Sequence, residues 1–251
     1  EQAKILLDEA EENNLGDKVL NERWARWGEC SLCEQEYHGI VRCALGWACW
    51  KTHAGRPETD PARSAAMTEL GNGLHDADHG ADALSVREAQ LSLILRIGAP
   101  KVAMLIAQGN LALTYRELGQ REKALSMERD VYSGRLKLMG EENRDTLVAA
   151  LNYAAALHRL GRCAETKSLS RKAMPVARRV LGECDIMTLR MRFLYATALC
   201  HDDGATLDDL HEAVTTLEDA GRIVRRVFGG AHPFTVEIGK ELRDARAVLR
   251  A

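Results

Sequence analysis

A repeat of 42 residues runs through most of the chain and constrains its fold more than any other feature. Glycines and threonine–leucine pairs carry the spacing: Gly98, Gly140 and Gly182, and Thr146-Leu147 and Thr188-Leu189. The next copy, at Gly229 and Thr235, arrives after 47 residues, and the extra residues lie near 201–205. An earlier and shorter copy covers about 60–98. A fixed spacing of this length predicts an architecture of stacked repeats.

Each repeat has the pattern of two helices. Between Thr146 and Leu160 the apolar residues recur with helical spacing, and Gly161 then suits a left-handed helix end. A second helix follows to about Leu181, although Pro175 inside it is expected to kink it. Because one helix pair cannot bury both of its faces, neighbouring pairs must stack. We therefore predict an all-α, right-handed superhelical solenoid of antiparallel helix pairs, with about four repeats and a C-terminal capping helix.

The turn inside the repeat resembles that of tetratricopeptide repeats. The segment Leu118-Gly-Gln-Arg-Glu-Lys-Ala124 has the leucine–glycine turn and the following alanine of that family. The 42-residue length and the link Gly229-Gly-Ala-His-Pro-Phe-Thr235 are similar to the kinesin light chain type. HEAT and armadillo repeats have comparable lengths, but the turn argues against them. The resemblance covers about residue 60 to the end of the sequence.

The resemblance implies protein binding without catalysis. Such arrays present a concave groove, lined by the first helix of each repeat, in which asparagines hold the backbone of an extended peptide. By position in the repeat, six residues are predicted to line this groove: Asn72, His75, Asn110, Arg116, Asn152 and His158. Glu69 and Leu194 stand at the asparagine position in the first and fourth repeats. The alternative role for each asparagine is to satisfy the backbone of a neighbouring helix.

The chain is expected to have two domains. Residues 1–57 form an N-terminal helical module rich in cysteine and tryptophan, and residues 58–251 form the repeat array with its capping helix. All four tryptophans lie in the module as two pairs, Trp24/Trp27 and Trp47/Trp50, and each pair shares one helix face. A helix is expected over about 39–54, where a half-repeat would cap the solenoid. The tryptophans either cement this cap or form an aromatic peptide-binding pocket.

Four of the seven cysteines fall within the module and suggest a metal site. Zinc needs four nitrogen or sulfur ligands, and a Cys-x2-Cys turn supplies two of them. One set is Cys30, Cys33, Cys49 and His53; the alternative completes the same turn with His38 and Cys43. The other interpretation is that the cysteines pack as small apolar residues in a tryptophan-rich core. The predicted cofactor is therefore either none or one structural zinc.

Composition and charge exclude several classes of function. The formal net charge of −3 gives no support for binding to nucleic acid or anionic membranes. The longest uncharged run, 102–115, is too short to span a bilayer. No nucleophile or phosphate-binding motif is present. A large helical chain does not need disulfides, so the cysteines favour a reducing compartment and a cytoplasmic location.

These observations predict a non-enzymatic scaffold or adaptor that binds a peptide or protein segment in the concave groove, with no nucleic-acid or membrane partner. A zinc-stabilised adaptor, whose N-terminal module carries the specific binding site, is the alternative. A regulatory subunit of an enzyme is a distant third. Two arginine pairs, Arg178-Arg179 and Arg225-Arg226, form either solvated faces or a basic strip for an acidic partner.

Overall fold

The computed structural model describes residues 2–250, and these residues are almost entirely helical. They form twelve α-helices and one 3-10 turn, Ala25–Trp27, and their one β-type pairing is an isolated bridge between Glu29 and Glu36. The helices in chain order are α1 (Gln2–Glu12), α2 (Asp17–Trp24), α3 (Gly39–His53), α4 (Pro61–Asp76), α5 (Gly80–Arg96), α6 (Lys101–Glu117), α7 (Arg121–Met139), α8 (Arg144–Arg159), α9 (Cys163–Leu181), α10 (Ile186–Cys200), α11 (Leu207–Phe228) and α12 (Pro233–Arg250). The predicted all-α fold of sequential helix pairs is confirmed.

Helices α4 to α11 occupy the four predicted repeats, two helices in each, and α12 follows them. Local signals set their ends. The Asp60 carboxylate accepts a hydrogen bond from the Ala62 N–H at 2.9 Å, and Thr206 and Asp209 form a reciprocal capping box before α11. Gly229 ends α11 with a positive φ of 87°, which suits glycine because it has no Cβ. Helix α9 continues through Pro175.

The chain divides into two compact units, one up to Gln120 and one from Arg121. In the first unit, α3 packs closely against α4. A Cβ added at Gly46 would lie 2.7 Å from the Glu69 carbonyl oxygen, so the backbones touch at this crossing. The boundary predicted at 57/58 thus lies inside the first unit, at a point where the module and the first repeat share a packed interface.

The tryptophans pack largely as the cap interpretation expects. Trp27 and Cys49 are buried in one cluster, and Trp24 and Trp50 pack against it. Trp47, in contrast, is 44% exposed. Three of the four indole rings therefore contribute to the core of the N-terminal module.

The second unit has its main core where α10, α11 and α12 meet. Leu189 and Tyr195 of α10, Leu217 of α11 and Ile238 of α12 are all buried there. Aliphatic burial of this kind is the dominant favourable contribution to folding. No helix within residues 2–250 has the length and hydropathy needed to cross a membrane.

Candidate functional site

A buried arginine organises the predicted groove residues of the first unit. Arg87 of α5 is 1% exposed. One guanidinium nitrogen donates to the Asn110 carbonyl oxygen at 2.6 Å and to the Thr114 hydroxyl, and the other donates to Asn72 Oδ1 at 3.0 Å. Burial lowers the pKa of Arg87, which is opposed by the negative charges of Glu117 and Asp76. The arginine thereby links α4 to α6 and fixes the orientation of the Asn72 amide.

This network borders an open polar cavity of about 270 Å³. Asn72 and His75 line it, as does Arg87, so two predicted groove residues of α4 reach the same space. The loop after the 3-10 turn closes one side with Glu29 and Glu36. The cavity therefore combines amide, imidazole and carboxylate groups, which suit a polar segment of a partner chain.

The residue at the asparagine position of the first repeat has a different task. The Glu69 carboxylate accepts a hydrogen bond from Arg42 at 2.6 Å, and both side chains are mostly buried. Arg42 also donates to the Trp27 carbonyl oxygen at 2.8 Å. Glu69 therefore ties the N-terminal module to the first repeat, and its carboxylate is already paired.

His75 and Arg116 lie one turn further along their helices, as predicted. His75 Nδ1 lies 2.7 Å from a Glu117 carboxylate oxygen. Arg116 is half-buried and has no ion-pair or hydrogen-bond partner within residues 2–250. The first unit thus offers a paired imidazole and an unpaired guanidinium near the end of the first helices.

The two asparagines at the family position carry unsatisfied side chains. Asn110 on α6 and Asn152 on α8 are both half-buried. Neither side-chain amide makes a hydrogen bond to any residue that the structure describes. The alternative role, in which the asparagine satisfies a neighbouring helix backbone, is therefore not seen at either position. A half-buried amide without a partner is a group that a ligand can satisfy.

His158 stands at the groove position of the second unit. Its ring lies 6.0 Å from that of His201, and its Nδ1 is shielded from solvent without a hydrogen-bond partner. Burial lowers the pKa of His158, and the neighbouring His201 and Arg159 lower it further. His201 Nε2 lies 3.4 Å from the Glu241 carboxylate of α12. The ionisable side chains of this face respond to pH near neutrality.

The predicted zinc ligands lie in different environments. Cys33 is exposed and Cys30 half-buried on the loop, whereas Cys49 and His53 are buried on α3 among the tryptophans. Hydrogen bonds from the Cys33 and Leu32 main chain lower the pKa of Cys30 to about 7. Burial raises that of Cys49.

Neither predicted ligand set is assembled. The alternative ligand His38 is exposed and lies 3.9 Å from Asp76, and Cys43 packs against the apolar cluster of α4 and α5. No group of three or more His, Cys, Asp or Glu side chains within residues 2–250 is arranged to hold a metal ion. Zinc binding at these residues stays a prediction.

The sequence interpretation missed Arg87, although a signal for it exists. Ala83, Arg87, Gln90 and Ile94 recur at helical spacing, and all four are buried on one face of α5. A charged residue inside an otherwise buried stripe indicates either a satisfied core network or a functional group. Gln90 is held in the same way, because its side chain donates to the Ser64 carbonyl oxygen at 2.8 Å.

Comparison with known proteins agrees with this geometry. The sequence model of the tetratricopeptide repeat matches residues 105–145 and 146–183. No curated protein sequence matches the chain.

Solved structures show the same fold. BtubC (BKLC) from P. vanneervenii superposes with a TM-score of 0.68 at 14% identity, over 83% of this chain and 84% of that one. The nearly identical TPR-like repeats of a kinesin light chain-like protein from Podosopora anserina give a TM-score of 0.59 at 17% identity, over 90% and 95%. A variant of those repeats gives 0.59 at 18% identity, over 89% and 93%.

Proposed function

We propose that this chain, which carries tetratricopeptide repeats of the kinesin light chain-like type, is a non-enzymatic cytoplasmic scaffold that binds an extended segment of a partner protein. The repeat fold is one of protein–protein interaction scaffolds. The observation that carries the finer proposal is the pair of half-buried amides of Asn110 and Asn152, which stand at equivalent repeat positions and have no partner in residues 2–250.

The side-chain amide suits main-chain recognition. An asparagine offers one carbonyl acceptor and two N–H donors, the same groups that a peptide bond presents in reverse. One asparagine can therefore hold one peptide unit without regard to the partner's side chains. Asn72 contributes in the same way, with its Oδ1 occupied by Arg87 and its amide nitrogen left to donate.

Specificity then rests on the charged groups around the amides. The cavity beside Asn72 carries Glu29, Glu36 and Asp76, which favour a basic side chain of the partner. Arg116 favours an acidic one further along the same unit. We therefore expect a partner segment with charges of both signs.

The test is a selection of binding peptides followed by substitution of the asparagines. Asn110→Ala combined with Asn152→Ala is expected to weaken a selected peptide by about ten- to a hundredfold, because each lost hydrogen bond contributes about 1 kcal/mol. Isothermal titration calorimetry measures the change. Asn21→Ala, an exposed asparagine on α2, is the matched control and should bind like the wild type. Equal affinity of the double variant and the wild type would remove these asparagines from the site.

A second candidate function is a zinc-stabilised adaptor whose N-terminal module carries the specific site. The observation that favours it is the turn at Cys30 and Cys33, where main-chain N–H groups point at the Cys30 sulfur. Native mass spectrometry of protein purified without chelator tests this candidate. A mass excess of one zinc per chain, lost in Cys30→Ser, supports it. A metal-free mass for the folded protein assigns these cysteines to the loop and the core alone.

A further inference from the structure

Two cavities of the second unit occupy equivalent positions in the repeat. The first, of about 490 Å³, is lined by α7, α8 and α9, and the second, of about 550 Å³, by α11 and α12. Gly229 and Thr235 stand 89 positions after Gly140 and Thr146, which gives the offset between them. At this offset Tyr132, Leu136, Thr146, Ala150, Tyr153 and Leu157 of the first cavity fall on Gly221, Arg225, Thr235, Gly239, Leu242 and Arg246 of the second.

A helix closes the first cavity. Helix α9 contributes Leu169, Ala173 and Val176, which recur at i, i+4 and i+7, and Glu165 lies one turn before them. In the second cavity no residue of the described chain takes the place of α9. The second cavity is thus a groove at a repeat position that elsewhere receives one amphipathic helix.

The floor of the second groove is apolar and shallowly covered. Ile238 is buried beneath it and Leu242 is half-buried. Gly221 and Gly239 stand where the first cavity has a tyrosine and an alanine, so backbone rather than side chain forms part of the wall. An incoming helix therefore finds room for a row of apolar side chains along its centre.

The rim of the groove is positively charged. Arg225 and Arg246 replace the leucines at 136 and 157 of the first cavity, and Arg222 and Arg226 flank them on α11. Arg246 bonds Glu218 at 2.6 Å, and Arg222 pairs with Asp219. Arg225 has no carboxylate partner in residues 2–250. The one polar contact of Arg226 there is with the Cys184 sulfur at 3.8 Å.

A neighbouring cavity extends the same charge. It shares Arg222 and Arg226 with the groove and adds Arg178 and Arg192. Arg192 is mostly buried between Glu183 and Asp219, at 3.6 Å and 3.8 Å, and burial lowers its pKa. Together the two cavities hold six arginines against three carboxylates, those of Glu183, Glu218 and Asp219. The surplus positive charge is unmatched within the described chain.

We propose that the groove between α11 and α12 is a second docking surface, which binds an acidic amphipathic helix of a partner protein. The helix lies where α9 lies in the preceding groove. Its apolar row at i, i+4 and i+7 covers Ile238 and Leu242, and its carboxylates meet Arg225, Arg226 and Arg246. This site is independent of the asparagines of the proposed peptide groove.

The test uses designed helical peptides of about 20 residues, a length at which an alanine-rich sequence is substantially helical. The first carries leucine at i, i+4 and i+7 and glutamate at the flanking positions. The second has lysine in place of each glutamate, and the third has serine in place of each leucine. Fluorescence anisotropy measures their binding to the whole chain at about 0.1 M salt, where surface attraction is already screened beyond about 10 Å.

The glutamate peptide is expected to bind at least about tenfold more tightly than either of the others, because it alone matches both the charge and the apolar floor. Arg225→Glu and Arg246→Glu should each reduce its affinity about tenfold or more. Lys240→Glu, on the opposite face of α12, makes the same charge change and should leave the affinity unaltered. Gly239→Phe fills the groove without a change in charge and should also abolish binding.

Four outcomes overturn the proposal. One is failure of the glutamate peptide to bind, and another is equal loss in Lys240→Glu and Arg225→Glu. A third is equal binding of the serine peptide or of a DNA duplex, which would make the surface a general anion binder. The fourth is a dimer of the free chain that dissociates in Arg225→Glu, which would give the groove to a second copy.

Discussion

At the scale of single residues, Arg87 has the largest structural role for one side chain. All the acceptors that it reaches are neutral: the Asn72 amide oxygen, the Asn110 carbonyl oxygen and the Thr114 hydroxyl. A buried cation is costly unless its donors are satisfied, and its removal leaves buried acceptors without donors. The arginine therefore holds two helices together and orients a predicted ligand group at the same time.

Arg87→Met keeps much of the side-chain volume but removes the donors. We expect the free energy of unfolding to fall by about 2 kcal/mol, because at least two buried acceptors lose their partners. Urea unfolding followed by circular dichroism measures the change. Arg96→Met on the same helix is the control. Its side chain is 63% exposed, so a change within about 0.5 kcal/mol is expected. A loss as large in Arg96→Met as in Arg87→Met would contradict a special role for Arg87.

His158 links stability to pH. Because burial lowers its pKa in the folded state, the unfolded chain binds a proton more readily than the folded chain. The stability that the neutral ring contributes is therefore fully present above about pH 6.5, the ordinary histidine pKa. It is lost as the pH falls from there through the lowered folded pKa. We expect the unfolding temperature of the wild type to drop between about pH 7 and pH 5.5.

The histidine variant isolates this effect. His158→Gln should flatten the decline over that range, because its side chain does not titrate. His211→Gln, an exposed histidine on α11, should retain the wild-type slope. Differential scanning calorimetry across the pH series distinguishes them. The interpretation is wrong if both variants show the same slope.

At the scale of elements, close packing of α3 on α4 joins the N-terminal module to the first repeat. The crossing is built on glycine in both helices. A Cβ at Gly46 would meet the Glu69 carbonyl oxygen at 2.7 Å, and one at Gly73 would meet the Arg42 carbonyl oxygen at 2.6 Å. Both neighbours are backbone atoms, which cannot turn aside as a flexible side chain can.

Gly46→Ala therefore must separate the two helices. We expect it to destabilise the protein by about 1–3 kcal/mol, the usual cost of overpacking, despite the better helix propensity of alanine. Gly109→Ala on α6 is the matched control, because nothing lies within 4 Å of its added Cβ. That control should stabilise by up to about 1 kcal/mol. Chemical unfolding of both variants measures the difference, and equal stabilities would rule out the close crossing.

At the scale of the whole molecule, two compact units carry different surfaces. The first, which ends at Gln120, has the polar cavity around Asn72 and the buried Arg87. The second, which begins at Arg121, has the arginine-rimmed groove of α11 and α12. A scaffold with two such surfaces can hold two partner segments, one read through its backbone and one through its charge.

Much of this fold was predictable because its signals are local. Helix spacing, the capping box of Thr206 and Asp209, and the positive φ of Gly229 each depend on residues that are near in sequence. The repeat spacing then assigned every helix of the array to a unit. The predicted positions of Asn110 and Asn152 follow from the same spacing, since equivalent residues of a repeat have equivalent surroundings.

The sequence by itself therefore determined the helical class, the repeat units and the helix ends. Only the tertiary structure decided how side chains from different helices meet: Arg87 between α4 and α6, Glu69 on Arg42, and the arginine rim over Ile238. The physical reason is that local backbone preference is encoded within a few neighbouring residues. The partners of a buried charge, or the space left by a glycine, are instead set by chain segments that are distant in sequence and come together only when the helices pack.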